Sequence, residues 1–296
     1  MCFLDCVLMF NEDGAIAEDK EKNAPRNCRF YHFFDFPLLD NRETEEDKEA
    51  ANDALQTFLG ATWHGNAGAH HAEMMALTLA YDGLEIGRFL PPPPDRSDSG
   101  KTTHDLALCY FLGGTESIGR GTMSGTLHGE WLCEEKALGF KGHHILHIKF
   151  TLTPELSTKP ILIDVYKRIP TNVCQKLRKP HSDQFFDGSF GKCVHFLETN
   201  YTPRMLYSMD ELGALVKRPL RIIFSRKRAF KRHESDVDEV AGVYLMKTSD
   251  DLRRSALTPS ARRAFFRYWL NFTKDYPVGK CDQMLGNLDL PDQEFG

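Results

Sequence analysis

Pro91–Pro94 limits what this chain can fold into more sharply than any other feature. Each proline holds φ near about −65° and lacks a backbone donor, so no helix and no interior strand can run through all four. The run favours a stiff polyproline II segment, and Asp95-Arg96-Ser97-Asp98-Ser99-Gly100 after it reads as polar loop. The prolines divide the chain into an acidic N-terminal α+β segment (1–90), a Pro-rich linker or loop (91–104), a β-rich main domain (105–275) and an irregular tail (276–296).

Charge follows a similar division. The formal net charge is −5, with residues 1–100 strongly acidic and the remainder mildly basic. The two parts either solvate separately or give the back of the chain a surface for an anionic partner. The eight cysteines (Cys2, Cys6, Cys28, Cys109, Cys133, Cys174, Cys193, Cys281) are scattered, and no C-x-x-C pair occurs. That usage suits reduced thiols in cytosol or nucleus rather than a disulfide framework. No apolar run approaches the roughly 18–20 residues needed to cross a bilayer, so no membrane partner is expected. The opening MCFLDCVLMF lacks a basic leader region and reads as a buried strand, not a signal peptide.

Within the acidic segment, Cys28–Leu39 is densely aromatic and reads as a strand that Pro37 ends or confines to an edge. A helix is expected over 43–59: acids fill its first turns, apolar residues follow at helical spacing, and Gly60 is a natural stop. A second helix is expected over 69–82. His71-Ala72-Glu73 within it has the H-x-E of zinc-dependent nucleobase deaminases, but that chemistry needs a later P-C-x-x-C, which is absent.

The main domain is read as four successive strands, Leu106–Leu112, Arg120–Cys133, His143–Thr153 and Pro160–Ile169, joined by short turns into an antiparallel meander. Gly121, Gly125 and Gly129 alternate with other residues, which suits a strongly bent strand. Residues 170–191 read as a long loop, 192–198 as a strand, Ser208 as the start of a short helix, and Leu220–Phe224 and Val240–Met246 as two further strands. A last helix is expected over 259–275, with Thr258 as N-cap and Pro259 at the first position. Its apolar stripe runs through Ala261, Phe265, Phe266, Trp269, Leu270 and Phe272, with Arg262, Arg263 and Arg267 opposite. The expected class is α+β: a mainly antiparallel sheet, curled into an open or closed barrel, with helices on one face or end.

The expected function is a β-rich binding or interaction module holding a small molecule or protein in the sheet's concavity, near His128, Trp131 and His147. A rival is a metal-dependent enzyme. On neighbouring antiparallel strands, His128, Glu130, His143 and His147 share polar faces, and that donor set suits zinc or non-haem iron. A solvated sheet face accounts for the same residues. His181-Ser182-Asp183 has two of the three groups of an iron facial triad, with His195 or His233 as the distal histidine. A turn in a loop explains it as simply. Cys193 and His195 share a strand face as a thiol and a base, but nothing nearby would orient them. A third class uses the basic run Lys217, Arg218, Arg221, Arg226, Lys227, Arg228, Lys231 and Arg232, with Phe224 and Phe230 interleaved, as a nucleic-acid contact. The acidic whole chain argues against a dedicated nucleic-acid binder. No phosphate-binding glycine motif is read: GGTESIGRG lacks the Lys-Ser/Thr of a P-loop and lies between expected strands.

Overall fold

The computed structural model describes residues 34, 36–62, 67–82, 100–113, 124–134, 146, 148–153, 158–168, 174–178, 183–190, 193–197, 204–206, 228–230, 244–246, 254 and 256–287. The expected strand at 1–10, the run Pro91–Pro94, the helix at Ser208 and the strand Leu220–Phe224 lie outside these residues. Among the described residues, no helix is long and apolar enough to cross a membrane. The chain divides into two units that interleave in sequence.

The first unit takes its described residues from Met1–His70, Asp95–Gly125 and Phe224–Asp275. Helix α1, Glu45–Thr62, starts on a reciprocal cap. The Thr44 hydroxyl oxygen accepts the Asp47 amide at 3.1 Å, and the Asp47 carboxylate accepts the Thr44 amide at 2.9 Å. Ala51, Leu55, Phe58, Leu59 and Thr62 follow at helical spacing and are buried. The helix does not stop at Gly60. It runs on to Thr62, whose hydroxyl donates to the Phe58 carbonyl at 2.8 Å.

Helix α2, Ala67–Asp82, begins in this unit and continues in the second. Helix α3, Lys101–Phe111, replaces both the expected strand Leu106–Leu112 and the last residues of the expected linker. The apolar run from Leu106 to Leu112 carries no clear period, so strand and helix fit it equally. The turn from Lys101 decides for helix and buries His104, Ala107, Leu108 and Phe111 along one face.

Helix α5, Pro259–Asp275, packs across α1 and against α3. Its start is the expected one: the Thr258 hydroxyl accepts the Ala261 amide at 3.1 Å. Phe266 meets Phe34 edge-on at 4.7 Å, and Phe265 stacks on Phe111 at 4.7 Å. Phe34 and Phe36 were expected in a strand; their segment has no strand among the described residues and lies instead against α5. The arginines opposite the stripe are not a solvated face. Arg263 is 8% exposed, and with Arg267 it grips one buried carboxylate, Glu43, at 3.0 Å each. Arg262 lies 4.1 Å over the Phe36 ring and donates to the Phe111 carbonyl at 3.0 Å. Strands β8, Arg228–Phe230, and β9, Tyr244–Met246, pair in parallel in the same unit.

The second unit takes its described residues from His71–Pro94, Thr126–Ile223 and Tyr276–Gly296. Among the described residues, only short pieces of the long strands expected here are strand. Strand β1, Ser124–Thr126, begins in the first unit and ends in this one, and is followed by a 3-10 turn at Gly129–Cys133. Strand β2 is Phe150–Thr153, and β3 is Ile161–Leu162, leading at once into helix α4, Ile163–Arg168. The expected loop 170–191 holds a hairpin of β4, Gln175–Arg178, and β5, Phe185–Gly188. Strand β6, Val194–Leu197, is where a strand was expected, and β7, Met205–Leu206, pairs in parallel with β3. The tail is not irregular throughout: Val278–Asn287 forms helix α6. The core gathers Leu127, Trp131, Leu132, Ile148, Ile161, Val165, Leu177 and Phe190.

The expected antiparallel sheet and barrel are therefore overturned. Among the described residues helix outweighs strand, β2–β6, β3–β7 and β8–β9 are parallel, β4–β5 is a small antiparallel pair, and no barrel forms. The reason lies in β2. All four of its residues are buried, which is the pattern of a strand covered on both faces, as parallel strands are. Its partner in the sheet order β1-β2-β6 is distant in sequence.

Candidate functional site

The start of α3 differs chemically from the other helix starts described above. Gly100 precedes it with φ 88° and ψ 8°, a left-handed conformation that glycine adopts without penalty. Its carbonyl accepts the His104 amide at 3.0 Å, which closes the first turn. Where α1 and α5 are capped by threonine side chains, Gly100 has no side chain to offer the amides of Lys101, Thr102 and Thr103. Nor does an acidic residue stand in that turn. Its first residue is instead Lys101, only 7% exposed. One turn on, His104 and Asp105 are also buried, and the His104 ring lies parallel to Phe58 at 6.0 Å.

These residues close a stretch whose spacing the linker reading passes over. Asp95-Arg96-Ser97-Asp98-Ser99-Gly100-Lys101-Thr102 follows the P-loop pattern G-x-x-x-x-G-K-[ST] at its last three positions, with Asp95 where the first glycine stands. In that pattern backbone amides cradle phosphate oxygens, the lysine reaches the terminal phosphates and the hydroxyl serves a cation. The signal available in the sequence was the triplet Gly-Lys-Thr directly before an apolar run long enough to be a helix.

Only some of the residues singled out from sequence as ligand-binding or metal-ligating are among the described residues. His128 is exposed at the edge of the 3-10 turn, its ring 5.1 Å from that of buried Trp131. Glu130 is exposed on the same turn, 3.9 Å from Lys159. His143 and His147 lie outside the described residues, as do His181 and His233. Asp183 is exposed and pairs with Arg178 at 2.9 Å. Of the basic run, Arg228 lies on β8, opposite Tyr244; Lys217, Arg218, Arg221, Arg226, Lys227, Lys231 and Arg232 lie outside the described residues. Among the described residues no three metal-binding side chains gather. His71 and Glu73 also part company: His71 meets Tyr276 edge-on at 4.2 Å, and Glu73 is fully buried.

Cys193 and His195 do come together, around a third residue. Thr151 and His195 are register partners on β2 and β6, and Thr151 Oγ1 lies 2.6 Å from His195 Nδ1. His195 Nε2 is 3.3 Å from the Phe190 carbonyl, which can only accept. Nε2 therefore carries the proton, and Nδ1 accepts from the Thr151 hydroxyl. The Cys193 thiol lies 3.9 Å from Thr151 Oγ1 and 3.4 Å from the Val194 carbonyl oxygen. Burial pushes the thiol up to about 12, offset only in part by the Thr151 hydrogen bond and the Lys149 charge. Burial also pushes the His195 imidazole down to about 4, against a smaller upward pull from Phe190. A protonated thiol beside a neutral imidazole is the opposite of an activated nucleophile, which needs a thiolate. The group is a polar clasp between two strands.

No family model matches the chain, and no curated protein matches it. Among solved structures it is similar to the A-form apo structure of the NrS-1 C-terminal region, CTR(305-718), with 12% sequence identity and a TM-score of 0.41. That likeness covers 78% of this chain and 48% of the other, so the chain spans about half the length of its structural neighbour. At this TM-score the likeness carries no argument about fold or function.

Proposed function

We propose that this chain binds a phosphate-bearing nucleotide at the N-terminus of α3. The observation that carries the reading is the placement of Gly100-Lys101-Thr102: a left-handed glycine, then a buried lysine, opening an 11-residue helix. A lysine in the first turn places positive charge at the positive end of the helix dipole. A phosphate bound there offsets that repulsion, because it meets the ammonium and the first-turn amides together. The reading keeps the expectation of a ligand-binding protein but moves the ligand from a sheet concavity to a helix start.

Titration of the protein with a fluorescent ATP analogue in magnesium buffer tests it. Saturable binding, displaced by unlabelled ATP and by pyrophosphate, is the expected result. Lys101→Met, which keeps the buried stem and removes the charge, should weaken binding at least about tenfold, or about 1.4 kcal/mol. Its circular dichroism and thermal midpoint should stay near those of the parent. Absence of saturable binding to the parent at millimolar nucleotide, or equal binding by Lys101→Met, would overturn the reading.

A further inference from the structure

We draw no further inference here: the strongest candidate, the solvent-facing side of the β4–β5 hairpin where exposed Phe185 lies beside Arg178 and Lys176 stands opposite Asp187, carries balanced charge, and nothing in the structure shows what covers it.

Discussion

Thr151 and His195 face each other across the parallel pair β2–β6, joined by a 2.6 Å hydrogen bond in a site from which water is excluded. The consequence is a pH-dependent stability. His195 titrates near 4 in the folded chain and near 6.5 when unfolded, so the unfolded chain takes up the proton first. Stability should be level above about pH 6.5, fall as the pH drops toward 4, and level again below that, a loss on the order of 3 kcal/mol. Urea denaturation at pH 7, 5.5 and 4 measures it. His195→Gln removes the titration and should flatten that part of the profile. Thr151→Val leaves Nδ1 without its donor and should cost roughly 1–3 kcal/mol at pH 7.

The cysteines should divide by reactivity. Cys193 is buried with its thiol pushed up to about 12, and burial does the same to Cys281, whose thiol donates to the Tyr276 carbonyl. Cys174 is exposed. Brief iodoacetamide treatment of the native protein at pH 8, followed by peptide mass spectrometry, should label Cys174 and spare Cys193 and Cys281. All three should label in urea. Native labelling of Cys193 at the rate of Cys174 would contradict the clasp.

Glu43 is the carboxylate on which the first unit's arginines converge. Its side chain is 3% exposed, it accepts from Arg263 and Arg267, and Arg263 also lies 3.7 Å from Asp40. Burial raises its pKa, but the two guanidiniums outweigh burial and hold the carboxyl below its usual range. That contribution is present above the unfolded carboxylate pKa and is lost as pH falls through the lower folded value. Glu43→Gln keeps the shape but removes the carboxylate that Arg263 and Arg267 share, leaving Arg263 its 3.7 Å contact with Asp40. It should cost about 3 kcal/mol at pH 7, and the penalty should shrink in acid. Thermal melts of both proteins at pH 7 and pH 3.5 supply the comparison.

Gly60 offers a gain. It sits in the last turns of α1 with no left-handed φ, it is exposed, and a Cβ built there meets nothing within 4 Å. Gly60→Ala should therefore stabilise the protein by about 0.5–1 kcal/mol, chiefly by restricting the unfolded chain. A rise in thermal midpoint checks it; a fall would mean that α1 ends earlier than Thr62.

What the sequence made legible were elements that carry their own punctuation. Acids followed by apolar residues at helical spacing announced α1, Thr258 with Pro259 announced α5, and all of the stripe from Ala261 to Phe272 but half-buried Leu270 is buried. Helix α3 was hidden because its apolar run has no period and its first turn, Gly-Lys-Thr-Thr, looked like the end of a loop. The candidate site vanished with it. The hairpin at 175–188 was hidden for a related reason: its turn is long and its strands mix charge with Phe185 and Phe186 on opposite faces. The largest error, an antiparallel meander, came from pairing strands with their neighbours in sequence. Burial on both faces of β2 overturns it: Thr151, which alternation puts on a polar face, is wholly enclosed, as is Thr153. His128 and Glu130 were placed on one strand face by alternation; a 3-10 turn has no such alternation, and both remain at the surface.

The parallel pairing of β2 with β6 also sets a kinetic order. These strands are separated in sequence by β3, α4 and the whole β4–β5 hairpin, so their register forms only after a long loop closes. The hairpin needs only the segment between β4 and β5 to close and can form first. Once formed, it shortens the free chain still to be gathered. Its formation should therefore precede the β2–β6 clasp, and weakening the Leu177–Phe186 pair should slow folding more than it speeds unfolding.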